Sequence, residues 1–329
     1  MRSNTPLIAV TLALIHRAVA SCACNLKVEN FVNQDPSLDM VSSLIIGSEA
    51  AVIIDLPLAV QQANLLADWV KNTTDKPLVA AFTTHSHPDH YLSGRTFLDH
   101  FPEAKHYATA EAAAWIENEA RNKTEFWSAA FGEGVIASTP AIPTPYNHSF
   151  FTLPGDEACP VEILKTIGGD TIDESMFWIP SSKTLIAGDI VYSHQMHAWL
   201  ADLLTPALTE SWLSSLDLIS KLQPQRVIPG HALSTDTFGA STEVIHTRDY
   251  VTFFQQNIEA KGADFYTPAQ ISTLIDNAFP GLLNLTSSTT SSTLLNITSE
   301  NFGKGGKRQI HYLDLLAFNE TKALDSWQL

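Results

Sequence analysis

Residues 78–90 read Leu-Val-Ala-Ala-Phe-Thr-Thr-His-Ser-His-Pro-Asp-His, an apolar run that passes directly into three histidines and an aspartate. The continuous apolar part, residues 78–82, predicts a strand buried on both faces. Residues two apart on extended backbone point the same way, so His85 and His87 should converge on one point. A turn into a helix would bring Asp89 and His90 to a second point beside it.

This concentration of imidazole and carboxylate groups predicts a metal site. Imidazole nitrogen and carboxylate oxygen are ligands that zinc favours, and two points of convergence predict two neighbouring ions. The alternative is a polar loop that happens to hold three histidines. Such a loop would need neither the strand register nor Asp89, so the metal site is the preferred interpretation.

Strands and helices alternate on both sides of this stretch. Upstream, two strands form a predicted hairpin and a helix follows Pro57; further helices follow the histidine-rich loop. Downstream come three strands, a helix and a last short strand. This order is typical of an α/β protein. The predicted strands are 41–46, 51–55, 78–82, 161–167, 176–179, 184–187 and 226–228, and the predicted helices are 96–101, 109–120 and 208–222, besides the one after Pro57.

Three segments, in order, resemble motifs of the metallo-β-lactamase superfamily. Residues 85–90 are similar to its His-x-His-x-Asp-His signature, Gly188-Asp189 to a strand-end Gly-Asp that bridges two metals, and Pro229-Gly230-His231 to the segment that supplies a last histidine. The resemblance covers roughly residues 42–231. It implies an α/β fold, a four-layer αββα sandwich in which two sheets backed by helices meet at an edge that holds the metals.

One position departs from the family pattern. Where a further histidine usually precedes the bridging aspartate, residues 167–171 read Ile-Gly-Gly-Asp-Thr. Asp170 either replaces that histidine as an oxygen ligand, which is preferred because carboxylate is a competent zinc ligand, or merely caps the turn; His148 is a weaker substitute. A single ion held by Asp89, His90, Asp189 and His231 is the alternative to two zinc ions. The ligands that the resemblance implies are His85, His87, Asp89, His90, Asp170, Asp189 and His231.

The same resemblance implies hydrolysis of a small molecule by a metal-bound hydroxide, with Asp89 orienting the hydroxide and carrying a proton. Esters, lactones, thioesters, amides and β-lactams all suit this chemistry, and a lactone or ester is favoured. His197, Tyr192 and Trp199 are expected to contact the substrate, and His194 is a weaker candidate. The alternatives are a mono-iron oxygenase using His85, His87 and Asp170, and a secreted binding glycoprotein without catalysis.

The first twenty residues read as a secretory signal peptide. Arg2 precedes an apolar run at 7–15, and Ala18-Val19-Ala20 forms a small-residue cleavage site before Ser21. A buried first helix or a membrane anchor is the alternative, but nine apolar residues are too few to span a bilayer. The interpretation predicts a secreted protein with a domain at 21–280 and a C-terminal extension at 281–329. That extension is Ser/Thr-rich and is expected to pack on the domain, with 282–299 as an exposed loop.

Secretion is consistent with the cysteines and the sequons. Cys22 or Cys24 is expected to pair with Cys159 in an oxidising compartment; a cysteine metal site lacks suitable spacing. Six Asn-x-Ser/Thr sequons predict surface glycans. They lie at Asn72, Asn122, Asn147, Asn284, Asn296 and Asn319.

Composition limits the possible partners. The chain has 329 residues, 45% apolar and 16% charged, with a formal charge of −16. This excludes a disordered chain and argues against a basic patch for nucleic acid or an anionic membrane. Loss of Arg2 and Arg17 with the signal peptide would leave 17 basic against 35 acidic residues, a charge of −18. The expected partner is a small-molecule substrate, while the oligomeric state is not predicted.

Overall fold

The computed structural model describes residues 24–306, apart from 204, 237, 263, 286–288 and the side chain of Thr166. The predicted signal peptide, Cys22 and the sequon at Asn319 lie outside the described residues.

The N-terminal half forms a six-stranded sheet in chain order from β1 to β6. The first three strands are antiparallel and the last three pair in parallel with their predecessors, because helical crossovers separate them. The strands are β1 (Lys27–Asn33), β2 (Met40–Ile46), β3 (Ala51–Ile54), β4 (Leu78–Thr83), β5 (Lys105–Ala108) and β6 (Thr144–Pro145), and the helices are α1 (Val60–Thr73), α2 (Gly94–Leu98) and α3 (Ala110–Phe131).

The C-terminal half forms a five-stranded sheet in the order β11-β10-β9-β8-β7. Its strands pair antiparallel except β10 and β11, which are parallel and joined through a helix. The strands are β7 (Phe150–Phe151), β8 (Val161–Ile167), β9 (Glu174–Ile179), β10 (Thr184–Ile186) and β11 (Arg226–Ile228), and the helices are α4 (Pro206–Leu222), α5 (Thr242–Asn257), α6 (Pro268–Ala278) and α7 (Thr290–Phe302).

Buried side chains define four layers. Apolar residues of β2, β4, β8 and β9 meet between the two sheets. The opposite face of the first sheet packs on α1 and α2, and that of the second packs on α4 and α5. Adjacent residues of one strand pack on opposite faces of the sheet: Leu44 packs against the helices, and Ile45 packs against the other sheet. The predicted αββα sandwich is confirmed.

The C-terminal extension corrects one prediction. The expectation of an exposed loop at 282–299 is wrong for its second half, because α7 is a helix that buries Leu294, Leu295 and Phe302 in the core beside α5. Serine and threonine have modest helix propensity, and their abundance obscured the apolar spacing. Local hydroxyl bonds accommodate them, as in the donation from Ser299 Oγ to the Leu295 carbonyl at 2.7 Å.

A disulfide joins Cys24 to Cys159 and ties the start of the described chain to the turn before β8. It therefore selects Cys24 from the two partners left open by the sequence. Among the described helices, none has the length and apolar character that a membrane crossing requires.

Candidate metal centre

The histidine-rich loop is held where β3 and β4 end. Asp55 follows β3 with a left-handed backbone at φ 65°, and its carboxylate accepts bonds from the backbone N–H and the hydroxyl of Thr84 at 2.8 and 3.0–3.1 Å. After His87, Pro88 begins a short 3-10 turn, residues 88–90. Because this turn breaks the strand geometry, Asp89 and His90 diverge from the direction of His85 and His87.

The first group of candidate ligands consists of His85, His87, Asp170 and Asp189, which are all buried. His87 Nδ1 lies 3.2 Å from Asp170 Oδ2, and His85 Nε2 lies 4.0 Å from Asp170 Oδ1. One ligand atom from each residue falls within 4.8 Å of the others, so a single ion could contact all four.

The second group consists of Asp89, His90 and His231, also buried. His231 Nε2 lies 3.2 Å from Asp89 Oδ2, and His90 Nε2 lies 3.8 Å from the same oxygen. Asp189 reaches this group as well, with Oδ1 3.3 Å from His90 Nε2 and Oδ2 3.0 Å from His231 Nε2. Its carboxylate therefore lies between the two groups.

Several atoms that face the centre make no hydrogen bond within the described chain: His85 Nε2, His90 Nε2, Asp170 Oδ1 and Asp189 Oδ1. An unsatisfied buried polar atom costs about 1–3 kcal/mol. Imidazole nitrogens and carboxylate oxygens left in this way are suited to metal ions. The residues present fit two neighbouring cations.

The opposite nitrogen of each histidine is anchored, which fixes the nitrogen that faces the centre. Sequence reasoning missed the two acidic anchors, Asp55 and Asp202, and the nearby Glu174, because none of the three has ligand spacing. The anchoring distances are His87 Nε2 to Asp202 Oδ2 at 2.7 Å, His90 Nδ1 to Asp55 Oδ2 at 3.0 Å, His231 Nδ1 to the Leu38 carbonyl at 2.7 Å, and His85 Nδ1 to Thr84 Oγ1 at 2.9 Å and to Glu174 Oε1 at 3.4 Å.

The sequence profile of the metallo-beta-lactamase superfamily matches residues 37–231, more than half of the chain. The chain belongs to the metallo-beta-lactamase superfamily. All residues of both candidate ligand groups lie within the matched region. Together with the two clusters, this membership makes the protein a metal-dependent hydrolase.

Named members of the superfamily are distant from this chain. It is 24% identical to the metallo-beta-lactamase type 2 of Elizabethkingia meningoseptica over 220 residues, 66% of this chain and 76% of the relative. It is 26% identical to metallo-beta-lactamase IND-1 of Chryseobacterium indologenes over 210 residues, 63% and 75% of the two chains. The crystal structure of BLEG-1 B3 metallo-beta-lactamase is 20% identical with a TM-score of 0.49, covering 68% of this chain and 99% of that one.

In this superfamily member, Tyr192 contacts both carboxylates of the first group, one of which, Asp189, also reaches the second group. Its buried hydroxyl lies 2.9 Å from Asp170 Oδ2 and 2.7 Å from Asp189 Oδ2, and its ring stacks on His231 at 5.3 Å. The sequence predicted Tyr192 as a cleft residue. The structure places it at the cleft and also in contact with the candidate ligands.

Burial and crowding shape the ionisation of the superfamily site. Burial raises the pKa of Asp170 to about 6, although His87 opposes the shift. Burial, with the carboxylates of Asp170 and Asp189, holds the pKa of Glu174 well above its ordinary value. Burial opposes charging of His231, but Asp189 and Asp89 outweigh it and raise its pKa to about 10. Acids packed this closely favour a bound cation.

A cleft with about 300 Å³ of empty space, including its open mouth, leads to both metal groups. Trp199, Tyr192 and Asp89 line it. That Tyr192 and Trp199 contact a substrate stays a prediction. The further lining residues are Leu38, His87, Pro88, Trp127, Asp170, Asp189, His231 and Leu294.

The structure does not bring every predicted histidine to this cleft. His197 is buried away from its lining, with Nδ1 2.9 Å from the Tyr250 hydroxyl. His194 pairs with Glu243 at 2.9 Å. His148 is exposed beside Tyr146. These three side chains have structural surroundings outside the superfamily metal centre.

Proposed function

We propose that the protein is a zinc-dependent hydrolase that cleaves an ester or lactone of a small molecule. The observation that carries the proposal is the pair of buried ligand groups that meet at Asp189 beneath one cleft. His85, His87, Asp170 and Asp189 would hold one ion, and Asp89, His90, His231 and Asp189 the other. When bound, zinc would polarise the substrate carbonyl and lower the pKa of water to about 7.

The protein's own residues would position the attacking water, transfer its proton and hold the metal ligands in place. Asp89 lines the cleft, and its carboxylate, which lies 3.2 Å from His231 Nε2, is placed to orient the attacking water. The same carboxylate would carry a proton towards the leaving group. Tyr192 holds the Asp170 and Asp189 carboxylates through its hydroxyl. Asp55 and Asp202 contact the outer nitrogens of His90 and His87, which keeps the opposite nitrogens aimed at the centre.

The alternatives are less well supported. A single iron held by His85, His87 and Asp170 would leave Asp89, His90 and His231 without a role, although they form a second buried group. A binding protein without catalysis would not need both groups. The two-ion hydrolase uses every candidate ligand.

Metal analysis combined with a substrate panel tests this function. Protein purified without added metal is expected to contain zinc, approaching two equivalents, by mass spectrometry of the digested sample. The zinc-loaded protein should hydrolyse lactones or simple esters faster than thioesters, amides and β-lactams. One equivalent of iron, or no hydrolysis of any lactone or ester, would contradict the proposal.

We also propose that the protein is a secreted glycoprotein. The five described sequon asparagines, Asn72, Asn122, Asn147, Asn284 and Asn296, are exposed, and the Cys24–Cys159 disulfide suits an oxidising compartment. Expression with the native N-terminus in a eukaryotic host should yield secreted protein that begins at Ser21. Its mass should fall on treatment with an N-glycosidase, and a variant with all six asparagines changed to glutamine should show no such fall. An intracellular product, or an unchanged mass, would refute this proposal.

A further inference from the structure

The helix α7 forms part of the wall of the catalytic cleft. Leu294 of α7 lines the cleft together with the metal-binding side chains. The superfamily match ends at residue 231, so this wall comes from the extension that follows the matched region. The extension therefore contributes directly to the space that receives the substrate.

The same helix holds the segment 197–202 in place. Ser291 Oγ accepts from the His197 N–H at 3.0 Å, and Thr298 Oγ1 accepts from the Leu200 N–H at 3.2 Å. Asn301 Nδ2 donates to the Ala201 carbonyl at 2.6 Å. Hydroxyl and amide side chains of α7 thus satisfy buried backbone groups that have no strand or helix partner.

The segment 197–202 contributes two residues to the site. Trp199 lines the cleft, and Asp202 contacts His87 Nε2 at 2.7 Å. Because α7 holds the backbone next to Trp199 and Asp202, it positions a wall of the cleft and the acid that contacts the candidate ligand His87.

The chemistry of the lining indicates what the cleft accepts. Outside the metal groups and Tyr192, the described walls are apolar, namely Leu38, Pro88, Trp127, Trp199 and Leu294. Within residues 24–306, as far as the structure describes them, no Lys or Arg lines this cleft. An anionic group remote from the reacting carbonyl would therefore meet no Lys or Arg among the described lining residues.

We propose that α7 selects the substrate, with Leu294 as the residue that limits the length of a compact, uncharged apolar group beside the scissile carbonyl. This inference rests on the proposed hydrolase function. It assigns Leu294 a specificity role and the hydrogen-bonding residues of α7 a positioning role.

The chain offers a matched pair for the test. Leu294→Ala and Leu295→Ala remove the same atoms from adjacent buried positions of α7, but only Leu294 lines the cleft. With p-nitrophenyl esters of two to twelve acyl carbons, Leu294→Ala should raise kcat/KM for long chains relative to short ones by about 10-fold, the selectivity of a methylene-sized change in an apolar pocket. Leu294→Phe should shift the preference towards the shortest esters. The chain-length profile of Leu295→Ala should match that of the wild type.

A binding measurement separates this inference from the hydrolase function. Calorimetric titration of the zinc-loaded protein with neutral alkyl hydroxamic acids of increasing length measures binding in the cleft without requiring ester hydrolysis. Wild type should prefer short chains, and Leu294→Ala should improve the affinity of long ones by a similar factor. If esters are hydrolysed but Leu294→Ala and Leu295→Ala give the same profiles, the cleft-wall inference fails and the function stands. If no ester is hydrolysed but hydroxamate affinity follows chain length in this way, the hydrolase function fails, while Leu294 still limits the chain length that the cleft accepts.

Discussion

Replacing Asp89 by alanine is expected to lower kcat of the zinc-loaded protein by about 10²–10⁴-fold, the usual contribution of a positioned acid–base group. Asp89 combines cleft exposure with proximity to His231, whose Nε2 lies 3.2 Å away. Burial opposes ionisation of Asp89, but His90 and His231 outweigh it and lower its pKa, so the carboxylate is ionised at neutral pH. The measurement is steady-state hydrolysis of the best ester or lactone from the substrate panel.

Two further variants distinguish proton transfer from a loss of fold or metal. Asp89→Asn keeps an oxygen ligand but cannot accept the proton, so it should retain more zinc than Asp89→Ala while showing a comparable loss of kcat. Asp99→Ala is the control, because Asp99 is an exposed acid at the end of α2 that pairs with Arg95 of the same helix. The activity of this variant should equal that of the wild type. Full activity in Asp89→Asn would show that Asp89 acts only as a ligand.

The sequence was most informative where chemistry and local geometry coincide. A buried strand followed by His-x-His and then a proline-led turn defines two directions, and His85 and His87 lie in one group of candidate ligands while Asp89 and His90 lie in the other. The Gly-Asp and Pro-Gly-His segments also reach the centre, because both follow strands of the second sheet, β10 and β11, which pair in parallel and end at the same edge.

What the sequence could not show depends on contacts distant in the chain. Asp202 meets His87 across 115 positions, and nothing in its neighbourhood distinguishes it from a surface acid. The same holds for His197. Its proximity to Asp189 in the sequence suggested a role in the cleft, but its side chain contacts the Tyr250 hydroxyl. The sequence did not predict the helix α7 because its many serines and threonines obscure the helical spacing of its apolar residues. Its proximity to the metal centre arises only from tertiary packing.

Asp170 occupies the position where the family pattern has a histidine, and its surroundings favour a ligand over a turn cap. Its carboxylate is fully buried and contacts His87, Tyr192 and the region of His85. Within the described chain it accepts no backbone N–H, which is the bond that a capping aspartate would make.

We therefore expect Asp170→Ala to weaken zinc binding at the first group by about 100-fold. This follows if about 10–16 kcal/mol of apparent binding free energy is shared by four ligands, which gives about 3 kcal/mol for each. Competition with a chelating dye measures the affinity directly, without reference to catalysis. The second ion, held by Asp89, His90 and His231, should bind with little change.

Two comparisons identify the cause of that loss. Asp170→His restores the residue type of the family pattern and should recover much of the affinity, because imidazole is an equally competent zinc ligand. Asp173→Asn changes a buried acid in the same turn whose carboxylate accepts from Ser86 and Thr171, and it should retain both ions. If Asp170→Ala keeps wild-type zinc affinity, or if Asp173→Asn loses as much, then Asp170 matters to the turn alone. The first ion would then have only His85, His87 and Asp189 as protein ligands, which is a complete set only for an open site.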